Sequence, residues 1–199
     1  MKRLGVIAFS VVVALLVASC AKPPEETIQQ AGRALEAAEA AGARKYAPDA
    51  WNRANQAMER LNAELSAQDQ RFILFRNFKT AGTLAEEATN AANQAKAEAD
   101  KKKAQLRADV TEMIAEVRSS LRSAQTQLSG LPATVTAVNT ASLRSKLAEA
   151  EGLLDKAQSE MGAERFDSAM AGAGDARDRV VEVLRAIERA APRLPVKKR

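Results

Sequence analysis

The chain has one cysteine, Cys20, and this residue ends an apolar segment at the amino terminus. Lys2 and Arg3 precede an almost unbroken apolar run from Gly5 to Val17, and small side chains stand directly before the cysteine. A basic start, an apolar middle and small residues at the end of the run are the features of a secretory signal peptide. The sequence therefore predicts a protein that is exported from the cytosol.

The four residues Val17-Ala18-Ser19-Cys20 resemble the lipobox of bacterial lipoproteins. The resemblance implies that the Cys20 thiol is alkylated with diacylglycerol, that the signal peptide is cut between Ser19 and Cys20, and that the new amine is acylated. One acyl chain, at about 0.8 kcal/mol per buried methylene, binds a membrane only marginally, whereas two or more hold a protein firmly. A triacylated Cys20 would therefore be a durable membrane anchor.

Two other interpretations of this segment stay open. Leu4–Ala21 is eighteen residues long, at the lower limit for a membrane-spanning helix, and it could be an uncleaved anchor. The ordinary signal peptidase could also cut here, with Cys20 incidental. The lipobox is favoured because a lone cysteine placed by chance would rarely occupy the position that lipidation requires.

The residues that usually perform catalysis are missing from the mature chain. There is no histidine, and lipidation of Cys20 would leave no thiol for nucleophilic attack, disulfide formation or zinc binding. Phosphate-binding glycine loops and the G-x-S-x-G elbow are absent from the sequence. A carboxylate-only or serine–lysine enzyme stays formally open. However, the acids lie among lysines and arginines on patterned helices, so we predict no enzyme, no cofactor and no metal site.

The charge of the chain is too small to indicate a nucleic-acid partner. The precursor carries 30 basic and 25 acidic residues, a net charge of +5. Loss of Lys2 and Arg3 with the signal peptide reduces this excess further. A mild positive charge on an exported protein therefore predicts no nucleic acid among its partners.

Three stretches could bind a ligand or a partner. Lys101, Lys102 and Lys103 could contact an anionic glycan or lipid, although a solvated helix face is the simpler interpretation. Tyr46 and Trp51 could line a pocket near a turn, although packing is favoured there. The apolar segment Phe72–Phe78 is expected to be buried as a bend or as the first turns of a helix. If it is exposed, it is the best candidate for a partner surface.

Apolar and small residues recur at helical spacing along most of the mature chain, and they alternate three and four positions apart. They form stripes at Ile28, Ala31, Leu35, Ala38; at Trp51, Ala54, Met58, Leu61, Leu65; at Leu143, Leu147, Ala150, Leu154; and at Phe166, Ala169, Ala173, Ala176. No proline or glycine interrupts Thr83–Ser129, which predicts one helix of roughly 70 Å. The fold class predicted is all-α, with elongated antiparallel helical hairpins or a bundle around one long central helix.

Two parts of the chain repeat each other. Phe78, Ala81, Ala85 and Ala88 match Phe166, Ala169, Ala173 and Ala176 at a constant offset of 88 residues. Upstream, Ala57 and Leu61 match Ala150 and Leu154 at an offset of 93 residues. The pattern predicts a duplicated helix–turn–helix unit, in which the change of offset reflects a difference in loop length.

The stretch Ala40–Asp49, with the sequence A-A-G-A-R-K-Y-A-P-D, resembles an alanine-rich domain of unknown function found in Gram-negative envelope lipoproteins. In that family a helical hairpin turns at a G-A-x-x-Y-A-P motif. The likeness covers roughly residues 28–100, with a weaker echo at 140–190. Relatives often carry a peptidoglycan-binding domain at the carboxyl end; we expect no such domain here, which argues against direct anchoring to the cell wall. The resemblance implies location and fold, and it assigns no catalytic residues.

The sequence is divided into five parts. Residues 1–19 are the signal peptide, 20–26 the acylated tether, 27–130 a hairpin plus the long helix, 131–191 the second hairpin, and 192–199 a basic tail.

We expect a structural, scaffold or adaptor lipoprotein of the cell envelope that contacts the membrane through acylated Cys20 and also binds a protein, with an oligomer left open. The alternative is a binding module for an envelope glycan or lipid. Ala21 is not the aspartate that retains enteric lipoproteins in the inner membrane. The resemblance therefore favours the periplasmic face of the outer membrane, with the outer leaflet of the inner membrane as the alternative.

Overall fold

The computed structural model describes residues 22–131 and 139–190, and all regular elements in these two stretches are helical. The α-helices are α1 (Glu25–Ala40), α2 (Ala43–Tyr46), α3 (Pro48–Asp69), α4 (Lys79–Ser129), α5 (Thr140–Gly162) and α6 (Phe166–Ala190). One 3₁₀ turn, Ile73–Phe75, lies between α3 and α4. The predicted all-α fold with one long central helix is confirmed.

Prolines, glycines and polar caps set the helix ends. Pro24 precedes α1, whose first turn carries two acids, and Pro48 is the first residue of α3. These positions suit proline, which lacks the N–H that a first helical turn leaves unpaired, and acids, which favour the positive end of the helix dipole. Helix α4 ends at Ser129, directly before Gly130. The Asn139 side chain caps α5 by accepting from the Ser142 N–H at 3.0 Å.

The contacts divide the chain into two compact units, one up to Lys102 and the other from Lys103 onward. The division falls inside α4, so this helix supplies its first half to one unit and its second half to the other. The predicted parts 27–130 and 131–191 place the whole of α4 with the first hairpin, and this division stays a prediction. The contacts thus group the second half of α4 with the α5–α6 hairpin, which the sequence did not indicate.

The first unit is packed largely with alanine. Helices α1 and α3 form a hairpin against the first half of α4, and the buried residues form two clusters. The tip cluster surrounds the α1–α3 turn and contains Ala34, Ala38, Ala43, Ala47, Ala50, Trp51, Ala54, Ala92, Ala95 and Ala99. The base cluster lies at the other end and contains Ala31, Ala57, Leu61, Phe78, Ala81, Ala85 and Ala88. The base cluster therefore joins the start of α1, the end of α3 and the start of α4.

The second unit has a bulkier core. Its buried residues are Val110, Ile114, Val117, Leu121, Ala124 and Leu128 of α4; Leu143, Leu147, Ala150, Leu154 and Ala157 of α5; and Phe166, Ala169, Ala173, Ala176, Val180, Val183 and Ile187 of α6. Arg118 pairs with Asp155 at 3.3 Å, and Lys146 pairs with Glu182. These exposed pairs link neighbouring helices, while the apolar side chains account for most of the packing.

The repeat in the sequence is matched by burial. Four residues of the first unit are buried, and so are the residues 88 positions later in α6. The four are Phe78, Ala81, Ala85 and Ala88. The same offset continues to Ala92, Ala95 and Ala99, which correspond to the buried residues Val180, Val183 and Ile187. Ala57 and Leu61 of α3 and their counterparts in α5 are buried as well. Equivalent positions are thus buried in both units, as expected from a duplication.

Several predicted features lie outside the described residues. These are the signal peptide at residues 1–19, the cleavage and lipidation residues Ser19 and Cys20, the alternative anchor Leu4–Ala21, and the basic tail at residues 192–199.

The alanine packing of the first unit predicts sensitivity to added volume. Replacing buried Ala85 with leucine should lower the free energy of unfolding by about 1–3 kcal/mol, because the three additional side-chain carbons have no space at the helix contact. Ala97→Leu places the same side chain on the exposed face of the same helix, and it should change stability by less than about 0.5 kcal/mol. Urea unfolding followed by far-ultraviolet circular dichroism compares the two. Equal midpoints for both variants would contradict the close packing of α4 in the first unit.

Candidate functional site

The loop between α3 and α4, which we call the base loop (Gln70–Phe78), exposes four large apolar side chains. The exposed fractions are 68% for Phe72, 56% for Ile73, 71% for Leu74 and 73% for Phe75. The expectation that this segment is buried is therefore wrong for these four residues. Only Phe78, at the end of the loop, enters the base cluster.

Hydrogen bonds from the end of α3 hold the base loop in place. Gln68, the last buried residue of α3, accepts a hydrogen bond from the Asn77 backbone N–H at 2.9 Å and donates to Glu64 Oε1 at 2.7 Å. The Asn77 side chain then accepts from the Lys79 N–H at 3.0 Å and caps the start of α4. The two ends of the loop are thus joined by hydrogen bonds, without burial of the apolar residues between them.

Arg76 adds a second set of contacts across the loop. Its guanidinium donates to the backbone carbonyl of Asp69 at 2.8 Å and to that of Arg71 at 3.2 Å. Asp69 is the last residue of α3, where backbone oxygens have no partner inside the helix, and Arg71 lies in the base loop itself. Arg76 therefore stabilises the end of α3 and also holds the base loop where the chain turns toward α4.

The exposed apolar residues form one patch. The Phe75 N–H donates to the Phe72 carbonyl at 2.8 Å, which closes the 3₁₀ turn. The two phenyl rings lie with centroids 6.3 Å apart and planes tilted by 50°, a separation within the range of favourable aromatic pairs. Full burial of a side chain of this size is worth about 1.5–3 kcal/mol, so leaving four of them in water is unfavourable. Such a patch typically marks a contact site.

The second hairpin shows that the turn can be made without this patch. Only Ala163, Glu164 and Arg165 separate α5 from α6. Measured between equivalent buried residues, Leu61 to Phe78 and Leu154 to Phe166, the first turn is five residues longer. The stretch Arg71–Phe75 has that length. The apolar residues of the base loop are therefore additional to what closure of the hairpin requires.

Tyr46 and Trp51 lie at the opposite end of the first unit. Trp51 is buried in the tip cluster, and Tyr46 packs partly buried against the cluster. The guanidinium carbon of Arg44 lies 5.4 Å from the Trp51 ring centroid, and Lys45 Nζ lies 5.1 Å from that of Tyr46. Cations at these distances interact favourably with aromatic faces. The two aromatic residues thus contribute to packing of the turn, and their role in ligand binding stays a prediction.

Gly42 makes the turn at the tip sterically feasible. Its φ of 81° lies in the left-handed region, which side chains other than glycine rarely occupy. A Cβ atom at this position would also lie 3.0 Å from Cδ2 of the Tyr46 ring. The glycine of the G-A-x-x-Y-A-P stretch is thus required by both backbone conformation and ring contact.

The three lysines of the predicted basic surface differ in their surroundings. Lys101 and Lys102 are exposed at the end of the first unit. Lys103, in the second unit, is partly buried and lies 3.4 Å from Glu164 Oε2, and Arg107 lies 3.6 Å from Glu164 Oε1. Lys103 therefore links α4 to the α5–α6 turn, while an anion-binding role of the lysines stays a prediction.

An open groove between α4 and α5 lies in the second unit, and its polar side chains already contact one another. Arg118 donates to Gln158 Oε1 at 2.7 Å and to Asp155 Oδ1 at 3.3 Å. The Thr111 hydroxyl lies 3.4 Å from the Met161 sulfur. The groove is thus crossed by helix–helix contacts, and none of these groups is left to orient a ligand.

The altered pKa values in the second unit have structural causes. A hydrogen bond from Arg165 lowers the pKa of Glu160 below its usual range, and the same hydrogen bond raises the pKa of Arg165. A hydrogen bond from Lys146 likewise lowers the pKa of Glu182. Within residues 22–131 and 139–190, histidine, cysteine and acidic residues form no group of three that could hold a metal ion. In the same two stretches, no helix has both the length and the apolar character of a membrane span.

Residues 26–111 match the model of a family described as a domain of unknown function, DUF4398. The matched stretch begins in α1 and ends within α4, so it contains the base loop and the tip. It confirms the resemblance at the level of an uncharacterised domain. No curated protein and no solved structure matches the chain.

The support of the base loop by Gln68 can be tested locally. Replacing Gln68 with leucine removes the acceptor of the Asn77 N–H, a bond worth about 0.5–1.5 kcal/mol. The Asn77 amide should then exchange with solvent roughly tenfold faster, as a loss near 1.4 kcal/mol predicts. Nuclear magnetic resonance measures this exchange. Gln70→Leu changes an exposed glutamine two residues away and should leave the Asn77 amide protected. Equal exchange in both variants would show that Gln68 does not hold the loop.

Proposed function

We propose that this protein is a lipid-anchored periplasmic lipoprotein that acts as a structural, scaffold or adaptor component of the cell envelope. The observation that carries the proposal is Val17-Ala18-Ser19-Cys20 placed directly after a basic and apolar signal-like segment. The thiol of Cys20 is the nucleophile that would accept the lipid. The residue after it, Ala21, favours the periplasmic face of the outer membrane, with the inner membrane as the alternative.

The start of the helical domain fits an anchor at Cys20. Pro23 and Pro24 follow the cysteine closely, and α1 begins at Glu25. The four steps along the chain from Cys20 to Pro24 span at most about 14 Å when extended. A lipid on Cys20 would therefore keep the first helical unit close to the bilayer surface, and the prolines would stiffen the connection.

The helical domain itself supports a binding or scaffold role. Its stability comes from long contacts between helices, which place many charged side chains on the outer faces. Exposed pairs such as Arg53–Glu98 at 3.3 Å and Lys96–Asp100 at 2.8 Å mark these faces as polar. Polar helix faces held at a fixed distance from a membrane suit a protein that positions or links other envelope components.

The alternative function is a binding module for an envelope glycan or lipid, favoured by the exposure of Lys101 and Lys102. Binding through these lysines should be electrostatic, so cosedimentation of the detergent-solubilised protein with purified peptidoglycan should occur at low salt and weaken as salt rises. The Lys101→Ala/Lys102→Ala variant should lose it. Lys22→Ala, which removes an exposed lysine elsewhere in the first unit, is the control. Absence of cosedimentation at low salt would remove this alternative.

The anchor is tested directly at Cys20. We expect Cys20→Ser to abolish incorporation of labelled fatty acid and to prevent removal of residues 1–19, because the lipid acceptor is lost. Intact mass spectrometry of the wild-type protein should give a chain that begins at Cys20 and carries the added mass of the acyl groups. Ser19→Ala keeps a small residue before the cysteine and should leave labelling unchanged. Unchanged labelling of Cys20→Ser, or a wild-type chain without lipid mass, would refute the proposal.

A further inference from the structure

We propose that the base loop is a second membrane contact, which inserts Phe72, Ile73, Leu74 and Phe75 into the outer part of the bilayer that holds acylated Cys20. This inference rests on the proposed lipid anchor, because the anchor brings the loop to the bilayer. The ligand is the lipid surface itself, with its acyl chains and phosphate headgroups.

The amino-terminal tether and the base loop lie at the same end of the first unit. Ile28 of the first turn of α1 packs against the base cluster, which also contains Phe78 at the end of the loop. Gly82, in the first turn of α4, lies beside the tether, since a Cβ atom placed there would be 3.8 Å from Pro24 Cγ. The chain therefore leaves the helical unit toward Cys20 beside the loop.

The tether is too short to keep the loop far from a bilayer. Pro24 is four positions after Cys20, so Pro24, which lies beside the start of α4, stays within about 14 Å of the lipidated residue. A loop at the same end of the unit as Pro24 meets the lipid surface at a high effective concentration, without another partner being required. This proximity distinguishes the bilayer from a protein or a second copy of the chain as the occupant of the patch.

The composition of the loop fits the interface between acyl chains and headgroups. The exposed residues are two phenylalanines, an isoleucine and a leucine, and aromatic and aliphatic side chains favour this depth. Residues 70–79 also contain Arg71, Arg76 and Lys79 and no acid. These cations would lie at the level of the lipid phosphates when the apolar side chains insert.

The acids near the base loop determine whether electrostatic attraction or insertion of apolar side chains dominates its binding to a bilayer. Glu25 and Glu26, in the first turn of α1, are exposed at the same end of the unit, and Asp69 lies 3.7 Å from Arg76. They offset much of the attraction of the basic residues for anionic lipids. The apolar side chains must therefore dominate, and insertion of the loop should depend little on salt.

The extra length of the loop is an independent argument. The α5–α6 turn closes an equivalent hairpin with five fewer residues and carries no such patch. The hydrogen bonds of Gln68 and Arg76 hold the ends of the longer loop, so the apolar residues are presented to solvent in a fixed turn. A turn held in this way needs little further ordering when it enters the bilayer.

The experiment uses the acylated full-length mature protein in vesicles of phosphatidylethanolamine and phosphatidylglycerol. Because acylation leaves no other thiol, Leu74→Cys can be labelled specifically with an environment-sensitive dye. We expect the dye emission to be shifted to the blue when vesicles are added. We also expect vesicles that contain spin-labelled lipids to quench the dye several-fold more strongly than vesicles without the spin label. Lys45→Cys, an exposed position at the tip, carries the same dye as the matched control and should show neither change.

A second variant separates insertion by the loop from insertion by the dye. Leu74→Cys combined with Phe72→Ser and Phe75→Ser keeps the dye and the acyl anchor, and it should lose most of the quenching. High salt should leave the quenching of the parent variant nearly unchanged. Retention of full quenching after both serine substitutions would overturn the proposal.

The remaining outcomes identify what else could fail. If mass spectrometry confirms the acyl groups and the protein stays on the vesicles while the dye at residue 74 remains in water, the loop proposal is wrong and the lipid anchor stands. If the acyl mass is absent, both proposals fail. Disulfide formation between unlabelled Leu74→Cys chains would assign the patch to a second copy. If the dye at residue 74 is shielded from water in native membranes but not in pure lipid vesicles, the patch binds a protein. Either of these two results overturns the proposal.

Discussion

The close approach of alanine-lined helix faces is the interaction on which the first helical unit depends. Each alanine buries little area, so stability must come from many small contacts along α1, α3 and the first half of α4. Such faces leave no space for larger side chains, and this lack of space fixes how the helices are placed against one another. The second unit uses leucine, valine and isoleucine at several equivalent positions, including Val180 and Ile187.

This packing has a consequence for function, because it determines which parts of the chain meet at each end of the first unit. Gly42, Tyr46 and Trp51 close the tip, while the start of α1, the end of α3 and the start of α4 meet at the base. The tether to Cys20 and the exposed patch of the base loop therefore belong to the same end. A lipid anchor and an apolar loop placed together would orient the unit on a bilayer, with its tip directed away from the lipid.

Helix positions could be predicted because they follow from periodicity and from a few residues that end helices, such as Pro48 and Gly130. The repeat was also visible, since Phe78 and Phe166 lie at equivalent buried positions. Exposure of Phe72–Phe75 could not be predicted, because a short apolar run without a clear period is usually buried. The contacts that keep it outside involve Gln68 and Asn77, nine residues apart in sequence. The one available signal was the difference between the two offsets, which places extra residues in the first turn.

The most direct test of this orientation uses the native tryptophan, because Trp51 is the only one in the chain and lies in the tip cluster. Asp69, at the base, is eighteen positions after Trp51 in α3, which corresponds to about 27 Å along a helix. Energy transfer from Trp51 to dansyl-labelled lipid headgroups can be measured with the unsubstituted acylated protein on vesicles. The account predicts weak transfer, with Trp51 held well above the lipid. Efficient transfer, as expected for a tryptophan among the headgroups, would contradict it.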